Sequence, residues 1–157
     1  MGTQELFAAI GAGEADRVRA LLAEDPSLAA SRDAVGVSAL LRARYRSDRA
    51  MTEAILAAVP ELDVFEAASF GEADRLVSLL DADPGQVTAR AGDGFTALHL
   101  AAYFGGAAAV RILLERGADP DAVADNPTRV VPLHSAVSAR REDVVALLLE
   151  RGANPDA

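Results

Sequence analysis

Residues Gly94–Ala118 read GFTALHLAAYFGGAAAVRILLERGA. The spacing predicts two short helices set back to back. Thr96-Ala97-Leu98-His99 opens the first, and Gly105-Gly106 interrupts the pattern. Val110, Leu113 and Leu114 then give the second helix an apolar stripe at i, i+3 and i+4. Gly117 supplies the residue most tolerant of the left-handed conformation that ends a helix. Neither helix is long enough to be stable alone, and the pair cannot bury both apolar faces by itself. The unit therefore requires neighbours.

Self-comparison of the chain finds them. FxxxxxGEADRxxxLL occurs at Phe7–Leu22 and again 58 residues later at Phe65–Leu80. The same offset pairs Asp25-Pro26 with Asp83-Pro84 and Ser38-Ala39-Leu40 with Thr96-Ala97-Leu98. A second offset, of 35, carries RGADPDA at Arg116 onto RGANPDA at Arg151. One apolar marker per unit gives the series Leu6, Leu40, Val64, Leu98 and Leu133, with steps of 34, 24, 34 and 35. The short step predicts that Val59–Asp63 turns almost directly into the next helix. Five helix pairs follow, roughly 4–32, 36–59, 62–90, 94–122 and 129–157. Glu14, Asp16, Glu72, Asp74, Glu142 and Asp143 cluster where second helices begin, which suits the helix dipole.

This pattern resembles the ankyrin repeat family, whose unit of about 33 residues carries T-P-L-H-x-A. Gly94–Ala102 followed by Gly105, Val110, Leu113-Leu114 and Gly117-Ala118-Asp119 matches nearly throughout. The fifth unit matches through Pro132-Leu133-His134-Ser135-Ala136, and the first three join through the internal duplication. The resemblance implies an all-α solenoid of five helix-turn-helix units with hairpin-like loops and no formal strand, in one domain over 1–157. There are departures. Phe7, Leu41 and Phe65 replace the histidine, and Val131 replaces the threonine that Thr96 offers His99. Arg44 stands where a small buried alanine belongs, so that position should be loosened or turn its guanidinium outward.

Composition narrows the function. A net charge of −9 argues against nucleic acid, because phosphate binding needs a basic face. No run approaches the roughly 18 apolar residues of a membrane span. There is no basic-then-apolar export signal, and Leu6 occupies the serine or threonine place of a myristoylation site. A cytoplasmic protein without membrane partners is the expectation. All 15 basic residues are arginine, which points to a GC-rich, bacterial genome.

No residue set carries chemistry. His99 and His134 hold the same place in two units, where the resemblance implies a structural brace, and no third metal ligand accompanies them. Asp119, Asp121 and Asp125 open like a calcium loop, but Ala124 and Val130 replace its glycine and glutamate. No nucleophile, base and orienter can be assembled. No cofactor, metal or catalysis is expected.

In the family, the two residues after the first helix's Ala-Ala pair face the concave groove and vary with the partner. They are Tyr45-Arg46, Ser69-Phe70, Tyr103-Phe104 and Ser138-Ala139 here, and four of the seven aromatics fall among them. Such residues dominate binding hot spots, although packing between helices is the competing reading for Phe70 and Phe104. Loop tips Val37, Asp93, Phe95 and Arg129 would extend the face. Arg42, Arg46 and Arg49 form a stripe that either receives an acidic segment or pairs with Asp48 and Glu53. The function expected is non-catalytic binding of a partner protein; a dedicated inhibitor of one enzyme or toxin is the alternative. Val144, Val145, Leu147, Leu148 and Leu149 look like an interior helix, so the C-terminal repeat could mediate self-association.

Overall fold

In the computed structural model, which describes all 157 residues, the chain forms ten α-helices and no strand. They are α1 (Gly2–Ala12), α2 (Ala15–Glu24), α3 (Ala39–Tyr45), α4 (Arg49–Ala58), α5 (Val64–Phe70), α6 (Ala73–Ala82), α7 (Ala97–Leu100), α8 (Ala107–Glu115), α9 (Pro132–Ser138) and α10 (Glu142–Glu150). A wider, π-type turn, Ala101–Gly105, continues α7. Consecutive helices pack as five pairs. The chain divides into two compact units, Met1–Glu61 with two pairs and Leu62–Ala157 with three. The division falls at the short step in the repeat series, where only five residues separate Ala58 from Val64.

Each pair is built on the same two positions. Leu6, Leu40, Val64, Leu98 and Leu133 are all buried, as the marker series predicts. Three residues on, Ala9, Ala43, Ala67, Ala101 and Ala136 are also buried. One turn of helix separates the two positions, so each first helix buries one bulky and one methyl-sized side chain on the same face. The small residue lets neighbouring backbones approach, and the large one supplies apolar area. Val18, Met51 and Ile55 complete the core of unit 1, while Leu76, Leu80, Val110, Leu113, Val144 and Leu148 complete that of unit 2.

Both sequence offsets reappear as repeated local geometry. Antiparallel bridges join Arg32 to Ser38 and Arg90 to Thr96, the second bridge lying 58 residues after the first. Asp25 and Asp83 accept the Ser27 and Gly85 amides at 3.0 and 3.1 Å and start 3-10 turns on Pro26 and Pro84. At the other offset, Asp119 accepts the Asp121 amide and Asn154 accepts the Asp156 amide, both at 2.9 Å. Asp121 in turn accepts the Asn154 amide at 2.8 Å, which ties one loop to the next. Asp119 and Asp121 of the calcium-like stretch therefore serve the turns.

Four of the five second helices begin on acid, α8 starting instead on Gly106. Asp48 caps α4 by accepting the Met51 amide at 3.0 Å, and Asp16, Asp74, Glu142 and Asp143 lie in first turns. Helix α5 carries a full reciprocal cap. Asp63 accepts the Glu66 amide at 2.8 Å, and Glu66 accepts the Asp63 amide at 2.9 Å. No helix is long and apolar enough to cross a membrane.

Candidate partner-binding face

The histidines separate at once by burial. His99 is 1% exposed. Its Nε2–H donates to the Val130 carbonyl at 3.0 Å. That fixes Nδ1 as the acceptor, and the Thr96 hydroxyl at 2.8 Å and the Thr96 amide at 3.2 Å donate to it. Every polar atom of the ring is satisfied in the neutral form. Burial lowers the His99 pKa, and the nearby Arg90 charge pushes the same way, against the opposing effect of the Val130 bond. His99 is a brace between the fourth and fifth pairs. His134 is exposed. Its Nδ1 receives only the Val131 amide, at 3.4 Å, and its Nε2 donates to the Ala157 backbone oxygen at 2.7 Å. Val131 offers no hydroxyl, as its side chain dictates. No group of three or more His, Cys, Asp or Glu side chains is arranged to hold a metal ion.

In unit 1, Tyr45 is half-buried and Arg46 is exposed. They line an open cleft of about 340 Å³ with Phe7, Ile10, Asp33 and Arg42. The arginine stripe is largely committed within the chain. Arg42 Nε donates to Asp33 Oδ2 at 2.6 Å, and Arg49 Nε donates to Glu53 at 2.7 Å. Arg46 Nη1 donates to the Gly11 carbonyl at 2.8 Å, across the end of α1. Burial would raise the Asp33 pKa, but the Val37 and Val35 amides and the Arg42 guanidinium hold it below its ordinary value. Val37 is buried and is not a loop-tip contact; Val35 is the exposed valine of that turn. Arg44 is half-buried, in the place of an alanine.

In unit 2, the rings of Tyr103 and Phe104 meet edge to face, with centroids 4.5 Å apart and planes at 64°. Tyr103 is 40% exposed and Phe104 half-buried. Phe70 is also half-buried, at the end of α5. Ser69 requires correction. It is 0% exposed, and its hydroxyl donates to the Glu66 carbonyl at 3.1 Å. A small side chain was read as groove-facing, but at this position it fills the interior of the helix packing. Ser138 is exposed and Ala139 half-buried. Among the loop tips, Arg129 is exposed. The Phe95 ring tilts against His99 at 5.7 Å. The Asp93 carbonyl accepts the Asn126 side-chain amide at 2.9 Å.

Helix α10 shares two roles. Val144, Leu147 and Leu148 are buried, while Val145 is half-buried and Leu149 is exposed. Val137, on α9, is 58% exposed. Val137, Val145 and Leu149 line a shallow groove of about 470 Å³, with Arg140 and Glu142 beside it.

Sequence reading overlooked Arg141. Its Nε donates to the Tyr103 carbonyl and its Nη2 to the Phe104 carbonyl, both at 2.7 Å. The signal was present. The corresponding residue is Glu14, Asp48, Glu72 or Gly106 in the other pairs, so a cation here breaks the series.

A family model described as ankyrin repeats matches residues 64–157 in three copies. Those are the three pairs of unit 2. The chain is also 40% identical over 86 residues to the E3 ubiquitin-protein ligase XB3 of Oryza sativa subsp. japonica. That alignment spans 54% of this chain and 19% of the ligase. The matched repeats, the buried pattern of a bulky aliphatic residue followed three positions on by alanine in all five pairs, and the histidine brace agree: the chain belongs to the ankyrin repeat family.

Proposed function

We propose that this chain binds a partner protein through its first-helix ends, with Tyr103 and Phe104 as the principal contact. As an ankyrin repeat protein it is a protein–protein interaction module. The observation that supports the particular site is the edge-to-face pair itself, with one ring 40% exposed on a short, hydrogen-bonded turn. Large, rigid aromatics contribute contact area at low entropic cost. Phe70, Phe95, Asp93, Arg129 and Ser138 are proposed as the further contacts of unit 2, and Tyr45 and Arg46 as contacts that unit 1 makes by itself. A single domain over residues 1–157 is supported by the 58-residue duplication, which relates both pairs of unit 1 to the first two pairs of unit 2. Replacing Tyr103 and Phe104 together by alanine should lower capture of the native partner at least tenfold while the far-UV circular dichroism stays unchanged. Loss of the helical signal instead would place the rings in the core and sink the assignment.

Charge favours a second reading, an inhibitor dedicated to one basic enzyme or toxin. Residues 62–157 carry eight arginines against fifteen acidic side chains, whereas residues 1–61 carry seven against nine. An acidic unit steers a basic partner and repels nucleic acid. Rescue of a single toxic enzyme on co-expression is the outcome expected of an inhibitor; many weak partners speak for a general module. Exposed Val137 and Leu149 support self-association through the last pair, and a strict monomer by solution mass at high concentration would remove that proposal. The lysine-free composition supports a GC-rich, bacterial source, to which the plant relative lends nothing. The matched segment covers about a fifth of that ligase.

A further inference from the structure

We propose that Arg141 is the positioning residue of the Tyr103–Phe104 pair: it fixes, from the following repeat, the turn that presents the two rings. This rests on the partner-binding reading above for its functional meaning, but not for its geometry.

The turn needs outside support because of how it is built. A helix end leaves its last carbonyls without intrahelical partners. Here the end is also widened. The Gly106 amide reaches back five residues to the Ala101 carbonyl at 3.0 Å, and Ala101–Gly105 forms a π turn. Such turns are rare and frequently lie at functional sites. The rings of interest sit on the third and fourth residues of that turn, so any movement of its backbone moves both.

Arg141 meets this need directly. It is the N-cap residue of α10. Nε and Nη2 donate to two successive orphan carbonyls, those of the ring-bearing residues themselves, at 2.7 Å each. Two parallel bonds from one planar guanidinium set orientation as well as distance. Its charge also lies against the negative end of the helix dipole. A lysine could satisfy one carbonyl but not hold both in one plane.

Unit 1 contains a single-bond counterpart without the rings. Arg46 donates from Nη1 to the Gly11 carbonyl at 2.8 Å, and Gly11 stands at the position of Tyr103 in its own repeat. An arginine from the following repeat thus reaches the same carbonyl in both cases. Only in the fourth repeat does that carbonyl belong to an exposed aromatic.

The test needs no partner. With Tyr45→Phe in every protein, Tyr103 is the sole tyrosine, and its fluorescence reports the turn. Acrylamide quenching and amide hydrogen exchange over residues 103–106 are compared for Arg141, R141K and R141Q. R141Q is expected to raise the Tyr103 quenching constant about twofold and to speed exchange at residues 103–106 at least tenfold. Far-UV circular dichroism should be retained, and R141K should fall between the two. Unchanged quenching and exchange in R141Q would overturn the proposal. Were R141Q to unfold, R141K decides by the same readings, and wild-type values there would overturn it equally. Partner capture is then read separately. Normal capture by a variant with a loosened turn would refute Tyr103 and Phe104 as the contact while leaving the positioning role intact.

Discussion

Gly105→Ala should cost about 3 kcal/mol or more in urea unfolding, against the sign that helix propensity alone assigns. Glycine to alanine inside a helix normally stabilises by up to about 1 kcal/mol. At Gly105 the added methyl carbon would overlap the Ala68 carbonyl oxygen and lie 3.1 Å from its carbon. Both are backbone atoms at the end of α5, so no side-chain rotation relieves the overlap. The two first-helix ends in unit 2 would have to separate, exposing the Ala67 and Ala101 faces that now lie buried. Gly11→Ala is the matching control. Gly11 also lies in a helix, and its added carbon would meet nothing within 4 Å. The first substitution should lower the urea midpoint and the second should hold or raise it. Equal effects of the two would refute the close approach.

His99→Ala is the other large loss, expected at about 3–4 kcal/mol. It strands the Val130 carbonyl and the Thr96 donors and leaves a cavity under Phe95. The same residue should make stability depend on pH. Unfolded, the imidazole titrates near 6.5; folded, burial holds its pKa lower. Between those two values the unfolded chain binds a proton that the folded chain does not. Stability is therefore complete above pH about 6.5 and declines as pH falls through the window toward the folded pKa. Urea midpoints at pH 7.5 and pH 5.5 should differ in the wild type. In His99→Gln the pH 7.5 value should drop, and the difference should shrink. A wild-type pH dependence that survives His99→Gln would assign it elsewhere.

The fold was legible in the sequence because its signals are local and repeated. Leu98 and Ala101 lie one helical turn apart, and four other copies of that spacing leave little doubt about which face is buried. His99 was legible for the same reason, since Thr96 stands three residues before it. Ser69 was misread because a serine at a variable position looks like a contact, while its burial depends on neighbours far away in sequence. Arg141 was missed for a related reason. Its bonds to Tyr103 and Phe104 span 38 and 37 residues, and no local pattern announces them. The arginine stripe was half legible. Arg49 and Glu53 are one turn apart and visible as a pair, but Asp33 reaches Arg42 only because the intervening turn folds back.

The guanidinium bridges carry an implication for modularity. Repeat boundaries drawn on the sequence treat each helix pair as a self-contained cassette that could be exchanged or shuffled. Arg46 and Arg141 contradict that picture, since each completes the surface of the pair before its own. The heritable unit is then the junction. A duplication that copies Tyr103 and Phe104 without the arginine that follows would transmit the ink of the recognition surface but not the page that holds it flat.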